Sequence, residues 1–112
     1  MRKRTAVVIA AVTVAAIAAL PVFAATPKLA GTVGPGFTIS LKKKPVKAGK
    51  YVLAVSDRSS IHNFRLKGPG VNVATSVAAT GSRTFKVTLK KGKYTFVCDP
   101  HLTTMRGSFT IK

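Results

Sequence analysis

From Phe37 onward the apolar residues recur at every second position, and no stretch sustains the three-to-four spacing of a helix. Phe37, Ile39 and Leu41 alternate with Thr38 and Ser40. Tyr51, Leu53 and Val55 alternate around Val52 and Ala54, and Phe64 and Leu66 flank Arg65. Phe85, Val87 and Leu89 alternate with Thr84, Lys86 and Thr88; Tyr94, Phe96 and Cys98 follow, then Phe109 and Ile111. A period of two sends successive side chains to opposite faces of a strand, so each run offers one face to a core. The runs are separated by Gly34-Pro35-Gly36, Gly49, Gly68-Pro69-Gly70, Gly81-Ser82 and Lys91-Gly92, all turn chemistry. Many short strands punctuated in this way predict an all-β fold, an antiparallel sandwich or barrel. A helix stays open only around residues 73–79, where the alternation is weak.

Strand directions can be traced from the turns. The short glycine-containing link after Leu89 predicts a hairpin of strands 84–89 and 93–98. At about 3.3 Å per residue, Cys98 then lies roughly 15–20 Å from that turn, at the opposite pole. Met105 opens the last strand, which descends from the same pole. With strand 50–57 running toward it as well, His62 begins a descending strand there.

The N-terminus has a different character. Met1-Arg2-Lys3-Arg4 precedes an apolar run from Thr5 to Val22, and Val22-Phe23-Ala24 supplies the small residues of a cleavage site before Ala25. This is the pattern of a secretory signal peptide over residues 1–24, forming an apolar signal helix, with residues 25–35 as a leading segment and first strand and 36–112 as the folded domain. The competing reading is an uncleaved anchor, since residues 5–22 are nearly long enough to span a bilayer. Either way the chain is expected to be exported, to a periplasm or a cell surface. Excluding Arg2, Lys3 and Arg4, 16 basic side chains face only Asp57 and Asp99, a net charge of about +14. Such a surplus predicts attraction to anionic surfaces such as an envelope polymer or lipid headgroups. Nucleic acid is not an expected partner for an exported chain, and a monomer is expected.

One cysteine in an oxidising compartment has no intramolecular partner. Cys98 is therefore buried and inert, joins two chains, or is held by a metal. Beyond residue 24 the chain contains two histidines, one cysteine and one methionine: His62, His101, Cys98 and Met105. Singly, each has an ordinary explanation, as a surface histidine, a small buried hydrophobe or a core methionine. Together they make up the chain's whole stock of soft and imidazole donors, and the tracing gathers them at one pole. Two imidazoles, a thiolate and a weaker thioether form the donor set of a trigonal copper site.

The segment Tyr94-Thr-Phe-Val-Cys98-Asp-Pro100-His101-Leu-Thr-Thr-Met105-Arg106-Gly107, with His62-Asn63-Phe64 upstream, resembles the cupredoxin family over roughly residues 36–112. The resemblance implies a Greek-key β-sandwich and one copper ion, cycling between Cu(I) and Cu(II), held by His62, Cys98, His101 and Met105. It also implies supporting roles. Asn63 would hydrogen-bond across to the Cys98 loop, its backbone N–H pointing at the thiolate sulfur, and Pro100 would remove an N–H otherwise able to reach that sulfur. The three residues between His101 and Met105 depart from the plastocyanin-like spacing, although Cys-x-Pro-His matches it. Val97, where plastocyanin has an exposed tyrosine, and the lack of an acidic patch argue against an electron route through that side.

The implied function is one-electron transfer, with a redox partner docking near the His101 ring edge on a rim including Leu102 and the Gly34-Pro35-Gly36 turn. The alternatives are copper storage or delivery, and a basic envelope-adhering domain with incidental metal. An enzyme is not expected, because two carboxylates and no second metal set leave little for acid–base chemistry. The same tracing places Lys42, Lys43, Lys44, Lys47 and Lys50 with Lys90, Lys91 and Lys93 at the pole opposite the ligands, a basic foot for an anionic polymer or membrane surface.

Overall fold

The computed structural model describes residues 25–112; the predicted signal segment and its helix lie outside the described residues. Eight strands form two four-stranded sheets. In chain order they are β1 (Lys28–Val33), β2 (Ile39–Lys42), β3 (Gly49–Asp57), β4 (Arg65–Gly68), β5 (Val71–Ala74), β6 (Gly81–Leu89), β7 (Gly92–Val97) and β8 (Arg106–Ile111), with one 3-10 turn at Asp99–His101 before β8. One sheet has the order β2-β1-β3-β6 and the other β5-β4-β7-β8.

Alternation decides what lies between them. Leu53 and Val55 from β3, Val87 and Leu89 from β6, Tyr94 and Phe96 from β7, and Phe109 and Ile111 from β8 are all buried in a single core. Their strand neighbours Thr88, Lys93 and Thr110 face solvent. Two aromatic pairs run through that core: Phe64 on Phe96, with ring centroids 5.8 Å apart, and Tyr94 on Phe109, 5.3 Å apart. Flat spots seat the first pair. A Cβ built on Gly31 would come within 2.8 Å of the Phe64 ring, and one on Gly107 would collide with Phe96. Only glycine leaves room for the rings there.

Two expectations are corrected, and one open reading is closed. Strands β6 and β7 are not a hairpin: β6 pairs with β3 in one sheet, whereas β7 pairs with β4 and β8 in the other. The link through Lys90 and Lys91 is an arch between sheets. The Tyr94 hydroxyl latches it, accepting from the Lys90 N–H at 2.9 Å and donating to the Pro69 carbonyl at 2.7 Å. The apolar faces of β6 and β7 oppose each other across the core instead of lying side by side, and period two is the same in both arrangements. The sandwich is also not wholly antiparallel. β1 enters between β2 and β3 and runs parallel to β3, with Val33 opposite Asp57. Residues 73–79 hold no helix; they contain the end of β5 and turns.

The traced polarity survives the first correction. Antiparallel neighbours place Asp57, Val97 and Arg106 at one end, and Gly49, Leu89, Gly92 and Ile111 at the other. Lys47, Lys50, Lys90, Lys91 and Lys93 lie toward the second end. Lys42, Lys43 and Lys44 do not. β2 stops opposite Ala30, itself opposite Ala54 at mid-height of β3, and the Lys44 ammonium lies 5.8 Å from the Phe96 ring centroid. Because β2 is an edge strand of only four residues, this lysine run flanks the open side of the sandwich, where charge discourages edge-to-edge pairing.

Candidate metal centre

His62 sits in the connection between β3 and β4, which crosses from one sheet to the other. Two local hydrogen bonds and one to β1 shape that loop: the Ser59 N–H donates to Asp57 Oδ1 (3.1 Å), the Ile61 N–H to Ser59 Oγ (3.3 Å), and the Arg58 N–H to the Val33 carbonyl (2.9 Å). Beyond the histidine, the Phe64 N–H donates to Thr75 Oγ1 at 2.9 Å. His62 is thus held between two fixed points and is fully buried.

Cys98 and Met105 bracket the β7–β8 loop, and both are buried. The Cys98 N–H donates to the Met105 carbonyl at 3.0 Å, one rung beyond the Val97–Arg106 pair that ends the β7–β8 ladder. Between them the chain makes a single helical turn: the His101 N–H donates to the Cys98 carbonyl, and the His101 carbonyl accepts from both Thr104 and Met105. That turn accommodates three residues between His101 and Met105. Pro100 is exposed near the start of the turn, where a missing N–H leaves no hydrogen bond unmade.

These two loops bring three donor atoms together. His62 Nδ1 and His101 Nδ1 are 3.2 Å apart, and Cys98 Sγ lies 3.6 Å from the first and 3.5 Å from the second. A point about 2.0 Å from all three atoms exists at the centre of that triangle, close to the usual metal–nitrogen distance of about 2.0–2.1 Å and somewhat inside the usual metal–sulfur distance of about 2.3 Å. No other group of histidine, cysteine and acidic side chains among the described residues converges in this way. The His62 Nε2 is buried without a hydrogen-bond partner, so the polar contacts of this ring all run through Nδ1, at the donor triangle. Two imidazole nitrogens and a thiolate sulfur are the donor chemistry of a copper site. The residues present fit a metal.

Asn63 clasps the two loops. Its Nδ2 donates to Asp99 Oδ2 (2.7 Å) and to the Thr75 carbonyl (3.2 Å), while its Oδ1 accepts from the Asp99 N–H (2.7 Å). The clasp runs through the side-chain amide; the hydrogen-bond-range neighbours of the Cys98 sulfur are the two imidazole nitrogens. Asp99 is in turn gripped by Arg65, through Nε to Oδ1 at 2.8 Å and Nη2 to Oδ2 at 2.9 Å, and Arg65 Nη1 reaches Asn72 Oδ1 at 2.7 Å. Hydrogen bonds from Arg65, more than those from Asn63 or simple charge attraction, hold the Asp99 carboxyl below its ordinary pKa against the opposing effect of burial. The same bonds raise the Arg65 pKa.

Two features escape the sequence. Phe37, expected to lead a strand, stands outside β2 and is 65 % exposed. Its ring packs edge-on against both imidazoles, 5.1 Å from each. A large aromatic directly after Gly34-Pro35-Gly36 was the available sign that it belongs to the turn and not to the strand. The Arg65–Asp99 pair joins residues 34 positions apart, and nothing local announces it.

The fold and this donor set define a class. The chain belongs to the copper-binding plastocyanin/azurin family, whose model matches residues 32–112. Among solved structures it is similar to reduced rusticyanin, at 20 % identity over 80 % of this chain and 82 % of that one, with a TM-score of 0.60. It is also similar to auracyanin A, a "blue" copper protein from Chloroflexus aurantiacus, at 15 % identity over 79 % of this chain and 100 % of that one (TM-score 0.54). An auracyanin from Roseiflexus castenholzii matches at 19 % identity over 80 % and 98 % (TM-score 0.50). At these identities the likeness shows a shared fold. No curated protein matches the chain in sequence.

Proposed function

We propose that the chain is an exported mononuclear copper protein that carries one electron at a time. His62 Nδ1, His101 Nδ1 and Cys98 Sγ would hold the ion, with Met105 as a fourth, weaker donor. The observation that carries this is the triangle of donors, His62 and Cys98 buried and His101 partly exposed, with sides of 3.2, 3.5 and 3.6 Å. A copper ion bound there supplies one-electron exchange between Cu(II) and Cu(I).

The chain's own residues keep that exchange cheap in reorganisation. The donors sit on loops anchored by strand pairing and by the Asn63–Asp99–Arg65 network, so their geometry is fixed by the scaffold before an ion arrives. Pro100 withholds an N–H from the neighbourhood of the sulfur, leaving electron density on the thiolate and tuning the potential downward. His62 is sealed from solvent, whereas His101 is partly exposed and provides the way out for the electron. Around it Phe37, Ile61 and Leu102 are exposed by 65 %, 53 % and 54 %, an apolar rim on which a redox partner docks.

The test is the absorption spectrum of the copper-loaded protein. An intense visible thiolate-to-copper band that bleaches and returns on one-electron reduction and reoxidation is expected, and Cys98→Ser should abolish it. A colourless protein that retains Cu(I) and passes it readily to an acceptor would assign the chain to copper delivery instead.

A further inference from the structure

Positive charge is distributed unevenly along the molecule. The arginines Arg58, Arg65, Arg83 and Arg106 lie in the half that holds the donor triangle, at or near the ends of β3, β4, β6 and β8, and both carboxylates, Asp57 and Asp99, are there too. At the other pole lie six exposed lysines, Lys47, Lys50, Lys90, Lys91, Lys93 and Lys112. The described residues contain one ion pair, Arg65–Asp99, so none of these lysines has an acidic partner. The Lys112 N–H donates to the Val46 carbonyl at 3.0 Å, which brings the β2–β3 connection against the end of β8 at this pole. Val46 itself is 55 % exposed among the lysines.

The chain also enters the fold from this side. Thr26 lies in a groove beside Lys50, Tyr51 and Thr88, and the Pro27 carbonyl accepts from the Val52 N–H. Residues N-terminal to β1 therefore run toward the lysine pole. The apolar run of residues 5–22 precedes this point by only a few residues in the sequence. A cluster of four to eight lysines next to an apolar segment is the arrangement that holds to anionic lipid headgroups.

We propose that the lysine pole seats on an anionic bilayer surface, so that the opposite pole, with the donor triangle, points away from the membrane. A bilayer fits better than a soluble polyanion, because the exposed Val46 gives the pole an apolar tip that a headgroup layer can take up, and the chain enters beside it. The seat does not depend on cleavage after Ala24. If the segment is removed, the new α-amino group adds one more positive charge at the same pole. Nor does it depend on copper, so it can fail while the electron-carrier reading stands, and the reverse.

Footprinting with a water-soluble amine reagent, read by mass spectrometry, tests the seat on the full chain as recovered from producing cells. With vesicles of phosphatidylglycerol and phosphatidylcholine, labelling of Lys47, Lys90, Lys91 and Lys112 should fall about tenfold while Lys43 and Lys67 label as before. Phosphatidylcholine vesicles alone should leave that pattern unprotected. Combining Lys47→Gln, Lys90→Gln and Lys91→Gln should weaken binding to the anionic vesicles roughly 100-fold, at about a factor of five per lysine. Combining Lys43→Gln, Lys67→Gln and Arg83→Gln, which removes the same charge from the sides, should weaken it far less. Val46→Ser should reduce binding to the anionic vesicles and leave binding to soluble polyphosphate unchanged. Uniform protection of all lysines, equal losses in the two triple variants, or polyphosphate binding more tightly than the vesicles would each overturn the proposal.

Discussion

Phe37 touches both imidazoles of the metal centre while most of its own surface faces water. Edge-to-face aromatic contacts contribute about 0.5–1.5 kcal/mol each, and here two of them act on the ligands instead of the core. Phe37→Ala should therefore lower unfolding stability by about 1–3 kcal/mol, the sum of the two contacts. It should speed copper release to a chelator by up to roughly tenfold, as measured by loss of the visible band. Asn63 has the opposite profile: it is buried, with its amide oxygen and nitrogen both bonded. Asn63→Ala leaves the Asp99 N–H and the Thr75 carbonyl short of partners and should cost about 2–4 kcal/mol in denaturant unfolding of the metal-free protein. The convergence of His62, Cys98 and His101 was legible in the sequence because beyond residue 24 the chain has no other histidine or cysteine. Phe37 was not legible, because alternation with Ile39 and Leu41 let it pass for a strand residue.

Among the elements, the strands carry position and the loops carry chemistry. Inward and outward faces of β3, β6, β7 and β8 follow from the spacing of Leu53, Val87, Tyr94 and Phe109 and their neighbours. The partner of each strand does not. Period two states which face is buried, yet it is silent on whether β7 lies beside β6 or across the core from it, and on whether β1 runs with β3 or against it. Those choices depend on contacts between distant residues, such as Tyr94 with Pro69. The Arg65–Asp99–Asn63 tie between β4 and the β7–β8 loop is of the same long-range kind. Since Asp99 has a folded-state pKa below its unfolded value, the tie is fully present above the ordinary carboxylate range and is lost as pH falls through the depressed value. Acid titration of unfolding stability in the metal-free protein should show that loss, and Asp99→Asn should flatten the curve over the same interval.

At the scale of the whole molecule, a surplus of positive charge with one ion pair among the described residues makes the folded chain repel itself. Salt should relieve this. Raising ionic strength from about 0.01 M to about 0.15 M shortens the screening length from about 30 Å to about 8 Å. A gain of about 1 kcal/mol would raise the melting temperature by roughly 4–8 °C, and differential scanning calorimetry of the metal-free protein at a series of salt concentrations measures it. The overall charge and the lysine pole around Lys47, Lys50, Lys90, Lys91 and Lys93 were plain in the sequence, but the exclusion of Lys42, Lys43 and Lys44 from that pole was not. That depended on β2 ending at mid-height, which leaves Lys42, Lys43 and Lys44 along an edge and away from the pole.

Cys98 has no measurable contact with solvent, and it is the chain's single thiol. Alkylating reagents can reach it only when the sandwich opens, so in metal-free protein the pace of modification by iodoacetamide is a clock for opening. Each molecule carries one such reporter, built in at the heart of the fold, and no label has to be engineered to read it.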